Sequence, residues 1–168
     1  MVNLLTKKYH SKAKKRVVGN FTVHETVKYC EKEMFRAEFN KLYDITNETK
    51  LLLFAGRLIK AKNVFFLIKV ANILKNVDVH FRLIFVGDGV DEKKIKNKVK
   101  KYKLENYVLF LGKISEIAQM EKIYAIADLL VFPSKYDATS LVQLEAAMQF
   151  LPTLFLEKAI TASAIKKN

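Results

Sequence analysis

The chain has 168 residues, 51% of them apolar, and a formal net charge of +13 at pH 7. This length suits one domain with a substantial core, and the charge favours anionic partners such as nucleotides, nucleic acid or an acidic membrane surface. The single cysteine, Cys30, excludes an internal disulfide and fits a reducing compartment.

No apolar run has the length of a membrane span, and the first 16 residues lack the apolar centre of a signal peptide. We therefore expect a cytoplasmic protein, with peripheral contact to the inner face of a membrane as an open alternative.

The first 49 residues are predicted to form a basic arm and a connecting segment. Lysine and arginine are dense in Met1–Arg16, without apolar periodicity, which is more typical of a solvated tail than of a nucleic-acid or lipid site. Val17–Phe21 is predicted to be extended. Apolar residues at roughly helical spacing then predict a helix within His24–Tyr43.

Five short apolar runs beyond this segment predict buried strands. Their predicted bounds are Lys50–Ala55, His80–Val86, Tyr107–Leu111, Asp128–Phe132 and Pro152–Leu156. The runs are continuously apolar, which is typical of a parallel sheet covered by helices on both faces. The sequence thus predicts an open, doubly wound, Rossmann-like α/β domain over residues 50–168.

Helices are predicted between these strands from apolar periodicity and capping residues. The predicted spans are Asn63–Lys75, Asp91–Lys103, Ser115–Ala127 with Ser115 as N-cap, and a last helix that begins at Thr139 or Ser140. In that last helix, the spacing of Leu141, Leu144 and Met148 predicts the buried face. The tail to residue 168 is expected to be helical.

Glycines and charged residues follow the predicted strands, where a parallel sheet has its ligand crevice. The segments are Gly56-Arg57, Gly87-Asp88-Gly89, Gly112-Lys113 and Ser134–Asp137. Glycine lets backbone approach a ligand, although any strand-to-helix turn also favours it. The coincidence with charged residues on one rim indicates a binding site.

The charges on this rim suit a phosphorylated, hydroxyl-rich ligand. Arg57 and Lys62, with Lys60 as an alternative to Lys62, can neutralise a diphosphate. The last helix offers free N–H groups to an anion, and Asp137 and Glu145 are acceptors for hydroxyl groups. This combination favours a sugar phosphate or a nucleotide.

Other chemistry is disfavoured. The segment GDGVDE at residues 87–92 lacks the third glycine of a dinucleotide fingerprint, which argues against a hydride-transfer enzyme. The sequence has no phosphate-loop motif, no Asp-x-Asp pair and no His/Cys cluster, so we expect no protein-bound metal and no cofactor.

Five segments between about Lys50 and Leu156 carry a family resemblance. They are Gly56-Arg57-Leu58 with Lys62, Phe85–Gly89, Val108–Gly112, Tyr124–Ser134 and Asp137–Ala147. In this order, and each at a predicted strand end, they resemble the C-terminal domain of family 4 glycosyltransferases, which are retaining enzymes of the GT-B fold.

The resemblance implies catalytic roles for four residues. Arg57 and Lys62 match the pair that holds the donor diphosphate and stabilises it as a leaving group. Asp137 matches the first glutamate of a paired motif, which faces the donor sugar, but is one methylene shorter. Glu145 matches the second glutamate, which binds the ribose.

Further donor contacts are implied by position within the same motifs. Gly56 and Gly87 belong to the strand-end turns next to the donor. Lys113 and Ile114 match the turn that grips the base, largely through backbone groups. Ser140, Leu141 and Val142 match the helix start whose amides meet the donor, with Ser140 where a glycine is common.

The family enzymes have a further, N-terminal domain that carries the acceptor site. We therefore expect the donor-binding half of a longer enzyme, which transfers a hexose, most simply from a UDP-sugar, to an envelope glycan or glycolipid. Alone it should bind the nucleotide sugar without turnover. The alternatives are another GT-B enzyme, such as a sugar-nucleotide epimerase, or a basic module for nucleic acid or anionic membrane; the latter lacks nucleic-acid motifs, so no nucleic acid is expected.

Overall fold

The computed structural model describes residues 26–77, 79–137, 141–157 and 159. The basic arm, the extended piece at Val17–Phe21 and the predicted helical tail lie outside these residues, as do Thr139 and Ser140.

The described residues form one five-stranded sheet. Its strands are β1 (Lys50–Ala55), β2 (Phe81–Val86), β3 (Val108–Gly112), β4 (Leu129–Phe132) and β5 (Thr153–Phe155), in the order β3-β2-β1-β4-β5. Every pairing between neighbours is parallel. The doubly wound α/β prediction is therefore confirmed, and β1 has the predicted bounds.

Helices cover both faces of this sheet. They are α1 (Tyr29–Leu42), α2 (Val64–Asn76), α3 (Glu92–Lys101), α4 (Ile117–Ile126) and α5 (Leu141–Met148), with a 3-10 turn at Lys60–Lys62. Helices α1, α4 and α5 pack on one face, and α2 and α3 on the other. Within the described residues, no helix combines the length and apolar character that a bilayer crossing requires.

Successive strand residues enter two separate cores, because side chains alternate across a strand. Leu53, with no exposed surface, packs in the core under α1, α4 and α5. Its neighbour Phe54 packs with Ile68 of α2 and Ile95 of α3 on the opposite face. Burial of each such side chain contributes about 1.5–3 kcal/mol, which explains why consecutive strand positions are apolar instead of alternating with polar ones.

Helix α1 is fixed to the amino ends of the strands by Arg36. The guanidinium donates to the carbonyl of Ile126 at 2.5 Å, to the carbonyl of Thr49 at 2.7 Å and to Asp128 Oδ2 at 3.0 Å. Asp128 also accepts from the Leu51 N–H at 2.7 Å. One arginine thus joins the helix, the end of α4 and the start of β1.

The segment leading into α1 is fastened to the end of α5. The Thr26 hydroxyl donates to the Met148 carbonyl at 3.1 Å, and the Val27 N–H donates to Gln149 Oε1 at 2.9 Å. Residues 122 positions apart therefore meet beside the last described helix.

The buried face of α5 differs from the predicted one. Leu141 is 48% exposed and Met148 38%, whereas Ala146 is fully buried and Val142 packs against the core. The prediction that Leu141, Leu144 and Met148 form the buried face is therefore wrong for Leu141 and Met148. The inward-facing side of α5 contains the carboxylate of Glu145 and is followed by the buried Gln149. Because these two residues are polar, apolar periodicity predicts that the opposite side of this short helix is buried.

The strand order reverses between β1 and β4, since β2 and β3 extend from one side of β1 and β4 and β5 from the other. Helices leave the sheet in opposite directions at this point, and an open crevice forms beyond the carboxyl ends of the strands.

Candidate functional site

A cavity of about 350 Å³ lies beyond the carboxyl ends of β1, β2 and β3 and is bounded by α4 and α5. It brings together residues from distant parts of the sequence. The predicted site residues that line it are Gly56, Arg57, Gly87, Lys113, Ile114, Val142 and Glu145. Strand ends supply the first five of these, and one face of α5 supplies the last two.

Both signs of charge line this cavity. Arg57 and Lys113 are exposed cations on its wall, and Asp88, Glu116 and Glu145 are carboxylates on the same wall. Cations suit phosphate groups, and carboxylates accept from hydroxyl and N–H donors. Across the described ranges, no three His, Cys, Asp or Glu side chains gather into a group suited to a metal ion.

Glu145 is held by a buried tyrosine. Tyr124 Oη donates to Glu145 Oε2 at 2.7 Å, and only 2% of Tyr124 is exposed. Burial, and then the charge of Glu145 and this hydrogen bond, raise the pKa of the Tyr124 hydroxyl. The phenol therefore stays protonated and donates to the carboxylate throughout the physiological pH range. Both residues line the cavity.

Lys62 and Asp137 lie together but do not line this cavity. Lys62 Nζ and Asp137 Oδ2 are 2.5 Å apart, and the two side chains are 22% and 24% exposed. Nearby, Asn63 Nδ2 donates to the Pro133 carbonyl at 3.2 Å. Two contacts therefore join the loop after β1 to the loop after β4. Asn63 itself adopts a left-handed backbone, with φ of +56°.

Asp91, which the sequence analysis did not single out, supports the turn that carries Lys62. Asp91 Oδ2 accepts from the Lys60 backbone N–H at 2.9 Å, and Oδ1 accepts from Lys94 Nζ at 3.0 Å. The hydrogen bond from Lys94, followed by the one from Lys60, lowers the pKa of the Asp91 carboxyl. An acidic residue at a helix start was the only sequence signal, and it is too common to indicate a site.

Two predictions near the helix starts have different outcomes. Ser115 was predicted to cap α4, which is wrong, because the cap position is Glu116 and no side chain caps the helix. Ser115 lines the cavity instead. Of the predicted donor contacts on α5, Ser140 lies outside the described residues, and the exposed Leu141 does not line the cavity.

Position 87 requires a glycine because the backbone of Gly56 lies close to it. A Cβ on Gly87 would lie 2.1 Å from the Gly56 carbonyl oxygen, and its φ is +127°. The Gly87 N–H also donates to the Gly112 carbonyl at 2.8 Å. At this position glycine permits the close approach of adjacent strand ends, which is sufficient to explain it without a ligand.

Comparison with known proteins identifies relatives over most of the chain. The family model described as "Glycosyl transferases group 1" matches residues 35–168. N-acetyl-alpha-D-glucosaminyl L-malate synthase from Bacillus anthracis is 32% identical over 140 residues, which are 83% of this chain and 34% of that protein.

Two solved structures share the fold. WaaG, described as a glycosyltransferase involved in lipopolysaccharide biosynthesis, has a TM-score of 0.65 and 25% identity over 79% of this chain and 35% of its own. Anabaena HepE, solved in complex with UDP and glucose, has a TM-score of 0.68 and 20% identity over 80% of this chain and 36% of its own. The chain spans about a third of the length of each of these relatives.

Proposed function

The chain belongs to the glycosyl transferases group 1 family, and on that premise we propose that it binds the nucleoside-diphosphate sugar of a retaining hexosyltransferase. The observation that carries this proposal is the cavity in which Arg57 and Lys113 share a wall with Glu145. A UDP-sugar is the favoured donor, in keeping with the UDP bound to HepE.

Arg57 and Lys62 neutralise the donor diphosphate and stabilise the negative charge that develops as it departs. Fixed cations aimed at a developing charge are among the largest contributions to catalysis. They make a divalent metal unnecessary in this proposal. Lys62 is paired with Asp137, so in this proposal the donor diphosphate competes with that carboxylate for Lys62.

The remaining site residues orient the nucleotide and the sugar. Glu145 accepts hydrogen bonds from the ribose hydroxyls, and Asp137 faces the donor sugar. Lys113 and Ile114 contact the base where β3 ends. Val142 stands one residue into α5, where free N–H groups of the first turn suit an anion.

The acceptor is an envelope glycan or glycolipid in this proposal. Its support is the likeness to WaaG, which acts in lipopolysaccharide biosynthesis. The name of the Bacillus anthracis relative points instead to a small acceptor, malate. Activity assays on a full-length enzyme with each acceptor class distinguish the two. The domain on its own is expected to bind donor without turnover, because the acceptor site belongs to another domain.

Calorimetric titration with UDP, UDP-glucose, UDP-galactose, UDP-N-acetylglucosamine and GDP-mannose, in the presence of a chelator, tests the donor site. We expect saturable binding to the uridine nucleotides that is lost in Arg57→Ala. Lys69→Ala removes an exposed cation from α2, away from the cavity, and should bind as the wild type does. Absence of binding to every nucleotide, or equal losses in the two variants, would contradict the proposal.

A further inference from the structure

We infer that Tyr124 is a positioning residue that orients Glu145 toward the ribose of the bound nucleotide. This inference rests on the proposed donor site, since it assigns a function to the neighbour of one of its residues. Tyr124 lies on α4 and Glu145 on α5, and the hydrogen bond between them spans the wall of the cavity.

Tyr124 is the fixed member of this pair. Its ring is 2% exposed and belongs to the core that also contains Phe39 of α1 and Leu53 of β1. Glu145 is half-buried on a short helix. A carboxylate on a flexible side chain has many orientations in such a position, and a hydrogen bond from a rigid phenol selects among them.

The hydroxyl of Tyr124 is not needed to fill the core. A phenylalanine ring would occupy nearly the same volume, and a buried hydroxyl is costly unless it is hydrogen-bonded. Its partner is Glu145 Oε2, at 2.7 Å. The polar atom of this tyrosine is thus directed at a residue of the cavity wall rather than at the backbone of the core.

Glu145 can serve the tyrosine and a ribose together. An ionised carboxylate has about four lone-pair positions on its two oxygens. The hydrogen bond from Tyr124 occupies one of these positions, so this contact does not by itself prevent Glu145 from accepting from the vicinal 2′- and 3′-hydroxyls of a nucleotide. The direction in which Glu145 accepts hydrogen bonds from a ribose depends on where its Oε2 atom is held.

A purely structural role, joining α4 to α5, would also explain the contact. The two roles differ in their dependence on the ribose hydroxyls. Loss of orientation at Glu145 weakens binding only of nucleotides that have these hydroxyls, whereas a distorted wall weakens binding of all nucleotides.

The test compares UDP with 2′,3′-dideoxyuridine diphosphate by calorimetry on wild type and Tyr124→Phe. We expect Tyr124→Phe to weaken UDP binding about ten- to hundredfold, the effect of one hydrogen bond that involves a charged group, and to leave the dideoxy nucleotide within about twofold. Tyr102→Phe removes a hydroxyl from the opposite side of the sheet and should change neither affinity.

Glu145→Ala supplies a second, independent comparison. In that background, Tyr124→Phe should cause no additional loss of UDP affinity, because the residue it orients is gone. Equal weakening of both nucleotides by Tyr124→Phe, or an undiminished loss in the Glu145→Ala background, would overturn the inference while leaving the donor site intact. Failure of the wild type to bind UDP would instead overturn the donor site and, with it, this inference.

Discussion

Lys62 and Asp137 form an ion pair across the point at which the strand order reverses, with 2.5 Å between Nζ and Oδ2. One residue follows β1 and the other follows β4, and they are 75 positions apart in the sequence. The cation proposed to meet the donor diphosphate is therefore already paired with a carboxylate of this chain.

Replacement of Asp137 by asparagine should strengthen the binding of UDP. Lys62 then meets the diphosphate without first losing an ion pair, and a negative charge near the phosphates is removed. We expect UDP affinity to rise about two- to fivefold at low ionic strength, the effect of one partly exposed ion pair. Calorimetry with UDP is the suitable measurement, since UDP lacks the donor hexose that Asp137 is proposed to face.

Asp88→Asn is the matched control for this variant. Asp88 is an exposed carboxylate on the cavity wall, so its replacement changes the net charge equally and leaves the Lys62 ion pair in place. We expect Asp88→Asn to gain less UDP affinity than Asp137→Asn. Weaker UDP binding by Asp137→Asn would mean that the carboxylate holds Lys62 in its binding position instead of competing for it.

Tyr124 should not ionise in the folded protein at a pH where an exposed tyrosine does. Its pKa is raised, so its contribution to the free energy of unfolding is fully present below the unfolded pKa of about 10 and is lost progressively as the pH rises from there through the folded pKa. Absorbance titration at alkaline pH should therefore count equal numbers of ionising tyrosines in folded wild type and folded Tyr124→Phe. After denaturation, the wild type should show one more ionising tyrosine than Tyr124→Phe. An extra ionisation already in the folded wild type would contradict the expected burial of Tyr124.

Arg36→Met should lower the free energy of unfolding by about 1–3 kcal/mol, because three acceptors lose a charged donor. Urea unfolding followed by circular dichroism measures this change. Lys96→Met removes a more exposed helix cation, which pairs with Glu92 on α3, and should cost about 0.5 kcal/mol or less. Similar losses in the two variants would show that the Arg36 contacts do not fasten α1.

Gly87→Ala and Gly112→Ala should differ strongly in thermal stability. At Gly87 a Cβ would overlap the Gly56 carbonyl, whereas at Gly112, with φ of +70°, no atom lies within 4 Å of the added Cβ. Gly112→Ala therefore costs about 1–2 kcal/mol of backbone strain alone, and Gly87→Ala costs this strain plus the displacement of a strand end. Thermal unfolding of both variants tests whether Gly87→Ala is the less stable of the two. Equal melting temperatures would refute this prediction.

Much of the fold was predictable because the signals are local. The strand β1 consists of consecutive apolar residues that end at a glycine, so its bounds follow from six residues and their neighbours. Positions next to strand ends then indicate the crevice, because parallel strands all end at one edge. Arg57 and Lys113 reach one cavity for this reason.

The contacts inside the site were not predictable in the same way. Tyr124 meets Glu145, and Lys62 meets Asp137, across separate elements, and each pairing depends on how a helix or loop is turned. The orientation of α5 illustrates the difficulty. Its inward strip includes Glu145 and Gln149, and a polar residue that faces inward has no signature in hydrophobic periodicity.

The fastening of Thr26 and Val27 to the end of α5 has a mechanical consequence. The same segment continues into α1, which packs on α4, so the chain enters the domain through the two helices that carry Tyr124 and Glu145. Residues 26 and 27, α1, α4 and the end of α5 therefore form one mechanically connected group beside the cavity.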